Sequence, residues 1–350
     1  MKAVILKENG VLTFSDVNKP SLSSGECLIE LARSGVCSSD IARSYYGGAY
    51  SYPLVMGHEL AGTVADIGSD IQKFACGDRV AIFPLLPCRD CPACHIEKYA
   101  QCHNYNYYGS RRNGGFAEKL GVEAWNLTKI PTEVSFDNAA LIEPTAVVVH
   151  ALDKLLSKNK PSEVLIIGAG FLGLVAIDII GFIDPNIKVV IVDRNTHKLE
   201  IAALSGAETF QVINEENWGR LIASRPDGYP YVLEATGNPE GFRNALNLCS
   251  RGGRVCWMGN ISDSLELSQK EVSDVLRREL TILGTWNSIY KGNDHSDWTK
   301  TIDMMQQGLF PARYVSHRTA LSDLPFHLAE LSCSVKRRRG KYIKVLVENS

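Results

Sequence analysis

Cys88, Cys91, Cys94 and Cys102 follow one another as C-x2-C-x2-C-x7-C in a stretch rich in glycine and proline. Four thiolates on one loop can wrap a tetrahedral ion and leave no position open to substrate, which is the donor set of a closed structural zinc site. Upstream stand Cys37, in Gly35-Val-Cys-Ser-Ser-Asp40, and the dipeptide His58-Glu59; Glu143 follows further on in Ile142-Glu-Pro144. A cysteine, a histidine and carboxylates drawn from distant parts of the chain are the ligand types of an open zinc site, which keeps a coordination position for water or substrate. These residue types predict two metal sites, one that holds the chain together and one that reacts.

A further set offers a nucleotide site. Gly168, Gly170 and Gly173 form G-x-G-x-x-G between the β-branched run Val164 to Ile167 and the helix-like run Phe171 to Ile183, and Val189 to Asp193 reads as a second strand ending in an acid. In a dinucleotide-binding unit the first glycine permits the tight turn, the second lets the pyrophosphate approach the backbone, and the third lets helix and strand pack closely. The helix N-terminus then supplies amide donors and a positive dipole. Phe171 and Leu172 complete the expected cofactor loop, and Lys198 joins the set from the next helix-like run. Asp193 can accept both ribose hydroxyls of NAD and repel the extra phosphate of NADP. Arg194 beside it is of the type that pairs with a 2′-phosphate, but NADP would require the carboxylate to turn away, so NAD is the expected cofactor.

The elements that must position these groups change character along the chain. Up to Pro144 the sequence reads as short strands broken by Gly, Pro and Asp: Ala3 to Leu6, Glu26 to Ala32, Gly62 to Ile67, Asp78 to Ile82 and Ala117 to Gly121. After Pro144, strand-like runs (Tyr231 to Leu233, Arg254 to Met258, Leu280 to Gly284) alternate with helix-like runs (His197 to Ser205, Pro239 to Leu248), which predicts a parallel, doubly wound sheet. Beyond Tyr290 the pattern is mixed, and the last strand, Tyr342 to Val347, is expected to pack back on the first domain. The apolar stretch Val164 to Ile183 has about the length of a membrane span, but its early glycines punctuate it as strand, turn and buried helix.

Composition fits a soluble enzyme of two domains: 350 residues, 45% hydrophobic, 22% charged, formal net charge -2. The near-neutral balance leaves no footprint for nucleic acid, and the short basic run Lys336 to Arg339 reads as a solvated turn. Met1 leads into a strand-like run without a secretory signal, so a reducing, cytoplasmic setting is expected, with thiolate ligation rather than disulfides for the ten cysteines. Cys27, Cys76, Cys249, Cys256 and Cys333 are then ordinary buried or half-buried residues.

The motifs Gly35-Val-Cys-Ser-Ser-Asp40, Gly57-His-Glu59, Gly77-Asp-Arg-Val80, the four-cysteine loop, Gly114-Gly-Phe-Ala-Glu118, Glu143-Pro144, Gly168-Ala-Gly-Phe-Leu-Gly173 and Gly340-Lys341 together resemble, nearly end to end, the medium-chain zinc-dependent alcohol and polyol dehydrogenases. The resemblance implies an α/β chain with a GroES-like, mostly β catalytic domain at 1–145 and 290–350 and a Rossmann cofactor domain at 146–289. It also implies two zinc ions per chain, NAD, and a homodimer or homotetramer, commonly by edge pairing of the nucleotide sheets. Carried over position by position, it makes Cys37 and His58 ligands of the catalytic zinc, with Glu59 binding directly or standing behind them and Glu143 binding directly or through a water. Ser39 matches the hydroxyl that passes the substrate proton toward solvent, whereas the histidine that often ends this relay is here Ala42. The expected reaction is transfer of a hydride from a carbinol carbon to NAD, giving a ketone or aldehyde.

Glu143-Pro144 points to the polyol branch, and Pro84-Leu-Leu-Pro-Cys88 and Gly109-Ser-Arg-Arg-Asn-Gly-Gly-Phe-Ala-Glu118 are similar to its galactitol-1-phosphate dehydrogenases. A phosphorylated polyol needs a cationic contact, for which Arg111, Arg112, Arg277 and Arg278 are candidates, although arginine pairs serve equally as solvated or carboxylate-bridged surface groups. The alternatives are an unphosphorylated, sorbitol-like polyol, L-threonine or a simple secondary alcohol. A non-catalytic protein that keeps the fold and metal for stability has no need of Cys37, His58 and Ser39 together beside a complete nucleotide motif.

Overall fold

The computed structural model describes residues 1–157, 161–261, 263–292, 295–333 and 340–349, so the basic run Lys336 to Arg339 lies outside the described residues. Contacts divide the chain into two compact units, 1–146 with 288–350, and 147–287.

The first unit opens with β1 (Lys2–Glu8), β2 (Val11–Asp16), β3 (Glu26–Val36), α1 (Ser38–Tyr45), β4 (Leu54–Val55), β5 (Glu59–Ile67), β6 (Arg79–Ile82) and β7 (Leu85–Leu86). It continues through α2 (Pro92–His95), β8 (Asn106–Tyr107), β9 (Lys119–Glu123), β10 (Leu127–Lys129), α3 (Phe136–Ala140) and the start of α4 (Ile142–Leu155). Its main sheet runs β10-β6-β5-β3-β18-β17, in which β17 (Val315–Ala320) and β18 (Lys344–Glu348) come from the end of the chain, with β9 also on β3, and β2-β1-β4 form a small second sheet. The apolar faces of these short strands close over cores around Ile29, Leu31 and Val80 and around Val4, Phe116 and Leu324. Helices α1 and α3 are additions to the mostly β reading. α1 begins in polar Ser-Ser-Asp, which resembles a loop, and forms because Cys37 and Asp40 make a capping box around its first turn.

The second unit alternates β11 (Glu163–Ile167), α5 (Phe171–Ile183), β12 (Lys188–Asp193), α6 (Thr196–Leu204), β13 (Glu208–Gln211), α7 (Glu215–Ser224) and β14 (Tyr229–Glu234), then α8 (Pro239–Leu248), β15 (Cys249–Trp257), α9 (Gln269–Arg277) and β16 (Thr281–Gly284). All its pairings are parallel, in the order β13-β12-β11-β14-β15-β16. The order reverses between β11 and β14, and in a doubly wound sheet such a reversal opens a crevice at the carboxyl ends of the strands. The apolar run Val164 to Ile183 is strand, turn and a helix of 13 residues. Among the described residues no helix is long and apolar enough to cross a membrane.

The chain then returns to the first unit with α10 (Asp297–Gln306), β17 (Val315–Ala320), α11 (Leu324–Ser332) and β18 (Lys344–Glu348). β18 lies between β3 and β17, so the last strand does join the first sheet. Cys27, Cys249 and Cys256 are buried, whereas Cys76 and Cys333 are exposed, contrary to the expectation for those two. Cys76 stands in the turn before β6 and Cys333 caps the C-terminus of the helix Leu324–Ser332.

Candidate active site

The end of β3 delivers Cys37 as the N-cap of α1, and Asp40, three residues on, accepts the Cys37 amide at 3.0 Å on Oδ2. The other oxygen of Asp40 lies 3.4 Å from His58 Nδ1, and Asp40 is fully buried. Ligand atoms of Cys37, His58 and Glu59 fall within 4.8 Å of one another, the spacing of donors around a single ion. Burial pushes the Cys37 thiol up, but the hydrogen bond and positive charge of His58 outweigh it and favour the thiolate, the form that binds metal. Burial works against a charged His58, and the Asp40 carboxylate more than offsets it, holding His58 well above its ordinary value. A buried carboxylate behind an imidazole is the usual support of a metal-binding histidine, because it fixes the ring and raises its basicity.

Glu59 is built into the sheet. Gly35 on β3 pairs with Glu59 on β5, and a Cβ at Gly35 would stand 2.0 Å from Glu59 Oε2, so the carboxylate occupies space that only glycine leaves. Lys344, the first residue of β18, donates to both Glu59 oxygens at 2.7 Å and to the Val36 carbonyl at 3.2 Å. Glu143, in the first turn of α4, is buried and accepts from the Tyr107 hydroxyl at 3.2 Å. It is not among the three residues whose ligand atoms all lie within 4.8 Å. Burial pushes its carboxyl up to about 7, with Glu59 adding to the rise and His58 opposing it. Carboxyls raised in this way are what a cation would relieve.

The four thiols converge as well. Sulfur atoms of Cys91 and Cys94 are 3.6 Å apart and those of Cys88 and Cys94 4.0 Å, and all four lie within 4.8 Å of one another. Tetrahedral zinc with Zn–S bonds of about 2.3 Å separates its sulfurs by about 3.8 Å, so the set fits that ion. The His103 backbone amide draws the Cys91 thiol down to about 6, while burial pushes Cys94 up to about 12. Four thiolates this close need a cation to hold them together.

In the second unit Gly168 closes β11 with φ +106°, and a Cβ at Gly173 would stand 1.9 Å from the Gly168 carbonyl, so turn and close packing both require glycine. Nothing lies within 4 Å of a Cβ built at Gly170, which caps α5. The space there is open for a ligand rather than filled by the chain. Asp193 accepts the Ala169 amide at 2.7 Å and the Asn195 amide at 2.8 Å, which ties the end of β12 to the glycine loop. Arg194 points to Glu240 at 4.0 Å and stays 60% exposed, and the Lys198 amide caps onto Asn195.

The family profile described as Alcohol dehydrogenase GroES-like domain matches residues 23–132, and that of Zinc-binding dehydrogenase matches residues 172–307. Galactitol 1-phosphate 5-dehydrogenase of Escherichia coli (strain K12) is 31% identical, over 91% of this chain and 92% of its own. The chain belongs to the medium-chain, zinc-type dehydrogenases. L-threonine 3-dehydrogenase of Burkholderia mallei (strain SAVP1) is 31% identical over 92% of this dehydrogenase and 93% of that relative. The crystal structure of galactitol-1-phosphate dehydrogenase from Escherichia coli matches with a TM-score of 0.88 at 28% identity, covering 99% of this chain and 100% of that one. A zinc-binding dehydrogenase from Sinorhizobium meliloti 1021 bound to NADP matches at 0.87 and 26% identity, over 99% and 98% of the two chains.

Within this dehydrogenase the structure brings Cys37, His58 and Glu59 together, with Ser39 on the same helix end, and gathers the four cysteines separately. It gives the arginine pairs other work. Arg111 lies between the Tyr50 and Tyr105 rings and donates to the Tyr105 carbonyl, Arg112 pairs with Glu26 and stacks on Tyr108, and Arg278 donates to the Leu246 and Cys249 carbonyls. Arg277 bonds Ser273 on its own helix. Asp40, Arg43, Tyr107 and Lys344 escape the reading from sequence. Asp40 alone had a signal, an acid three residues after a helix N-cap.

Proposed function

We propose that this dehydrogenase oxidises a secondary alcohol of a polyol with NAD, and that its preferred substrate is a phosphorylated polyol such as galactitol 1-phosphate. The observation that carries the reading is the convergence of Cys37, His58 and Glu59 within 4.8 Å at the end of the helix that bears Ser39. Zinc bound there would supply Lewis acidity to the alcohol oxygen, and NAD would supply the hydride acceptor. Cys37 and His58 are the direct ligands in this reading. Lys344 takes both oxygens of Glu59, which supports a place for Glu59 behind those two, and Glu143, which accepts from the Tyr107 hydroxyl, would bind directly or through a water. Ser39 would accept the proton of the substrate hydroxyl while passing its own outward to water, since Ala42 stands where the relay histidine would be.

The acid at Asp193, oriented by two backbone amides and unaccompanied by an inward-turned Arg194, supports NAD over NADP. The four-cysteine loop would hold the second, structural zinc. β16 is an edge strand of its sheet with Ile282 exposed, which supports assembly of a homodimer or homotetramer by pairing of such edges.

The test is NADH formation by the zinc-loaded protein across a panel that pairs each polyol with its phosphate ester. Preference for one ester is the expected result, and turnover on free polyols alone moves the assignment to a sorbitol-like enzyme. Because a threonine dehydrogenase is equally identical to this chain, L-threonine belongs in the panel, and exclusive oxidation of it would overturn the polyol reading.

A further inference from the structure

Arg43 stands one helical turn after Ser39 on α1, so the two side chains share a face. Its Nη1 donates to Ser39 Oγ at 2.9 Å and lies 3.3 Å from Asp40 Oδ1. The side chain is only 15% exposed, which makes it a largely buried cation at the edge of the metal set. Arg43 shares its one ion-pair partner among the described residues, Asp40, with the imidazole of His58.

The geometry of the guanidinium sharpens this. Nη1 is engaged by Ser39 and Asp40, while Nε and Nη2, the edge that grips a phosphate or carboxylate side-on through two parallel hydrogen bonds, have no partner among the described residues. Neither atom is sealed from solvent without a partner. Arginine is protonated at every working pH, so it cannot take the place of the relay histidine that Ala42 lacks. What it can do at this position is hold Ser39 with one hand and an anion with the other. Arg111 and Arg112, the arginines nearest in sequence to the glycine pair, are already sandwiched by tyrosines or paired with acids.

We propose that Arg43 is the specificity-determining residue of this dehydrogenase: its Nε/Nη2 edge binds the phosphate of a phosphorylated polyol while Nη1 fixes Ser39 against the reacting hydroxyl. The assignment rests on the reading of Cys37, His58 and Ser39 as the alcohol-binding site. It adds the chemical class of the substrate's distal group, a phosphate monoester, and the side chain that selects it.

The experiment compares Arg43→Met and Arg43→Lys with the parent protein, all zinc-loaded and matched for zinc content. Charge-assisted pairs of this kind contribute enough to change affinity by about 10- to 100-fold. The kcat/KM ratio for galactitol 1-phosphate over galactitol is expected to fall by about that factor in Arg43→Met, mainly through KM, and by less in Arg43→Lys, which keeps the charge and loses the bidentate edge. An unchanged ratio overturns the proposal, including the case in which both substrates lose equally because Arg43 acts only through Ser39. Calorimetric titration of galactitol 1-phosphate, with NAD absent, decides the matter apart from turnover. Weaker binding to Arg43→Met sustains the phosphate contact even if the parent oxidises nothing in the panel, and equal binding removes it. If Arg43→Met fails to fold, the same ratio and titration in Arg43→Lys carry the decision.

Discussion

Asp40 is the residue on which the reactive site turns, because one carboxylate serves three partners. It caps the backbone of Cys37, stands behind His58 and balances Arg43. Its carboxyl, raised by burial, is brought below its ordinary value by the charge and hydrogen bond of His58, so it acts as a fixed anion. Asp40→Asn keeps the shape and removes the charge, and loss of such a support typically costs about 10- to 100-fold in metal affinity. The protein should therefore keep its four-cysteine zinc and lose the other when dialysed against a competing chelator, a difference read directly as metal content per chain. Retention of both ions would remove Asp40 from this role. Which side chains gather was legible from sequence where type and spacing suffice, as with the four cysteines, Cys37 and His58. It was not legible where partners meet only through the fold: Lys344 and Glu59 are 285 positions apart, and no local pattern pairs them.

At the scale of elements, the sheet does the positioning. β5, β3 and β18 lie side by side, and the bare Gly35 on the middle strand lets Glu59 and Lys344 meet across it. The sequence foretold β3 and β5 from apolar runs, but not that β18 would supply a buried lysine. In the second unit most elements are readable, because buried parallel strands and their helices leave apolar runs separated by turn residues, but β13, α7 and α9, which bury few or no side chains, escape the reading. The short strands β7 and β8 and the polar start of α1 carry no such period. A clasp on the same sheet gives a pH-dependent prediction. Asp137 on α3 is bonded by Arg318 of β17 at 2.5 Å and by Arg33 of β3 at 2.8 Å. Burial raises its carboxyl, the two arginines outweigh burial, and the net value is lowered. A folded value below the unfolded one of about 3.9 means that the stabilisation is present above that pH and is lost as the pH falls through the folded value. Asp137→Asn should cost about 1 kcal/mol near neutrality, since all three groups keep partial solvent contact. Urea midpoints of the two proteins should converge below about pH 4, and a gap constant across pH would rule the clasp out.

At the scale of the whole molecule the two units are unlike in how they use the chain. The first is discontinuous, assembled from 1–146 and 288–350, and it contains both candidate metal sets. The second is one uninterrupted stretch, 147–287, with a six-stranded sheet and its own core around Leu165, Val190, Val232 and Val255. A parallel sheet covered by helices buries enough apolar surface to fold alone at this size, and every candidate cofactor residue from Gly168 to Lys198 lies inside it. The fragment 147–287 is therefore expected to unfold cooperatively, to be indifferent to chelators, and to bind NAD without the rest of the chain. NAD at about 100 times its dissociation constant should add about 2.7 kcal/mol to the fragment's stability, visible as a rise in its thermal midpoint. Asp193→Ser should erase most of that rise by removing the anion proposed to meet the ribose hydroxyls. A fragment that folds but gains nothing from NAD would mean that the nucleotide site needs residues outside 147–287, and one that fails to fold would mean that the second unit depends on the first for its stability.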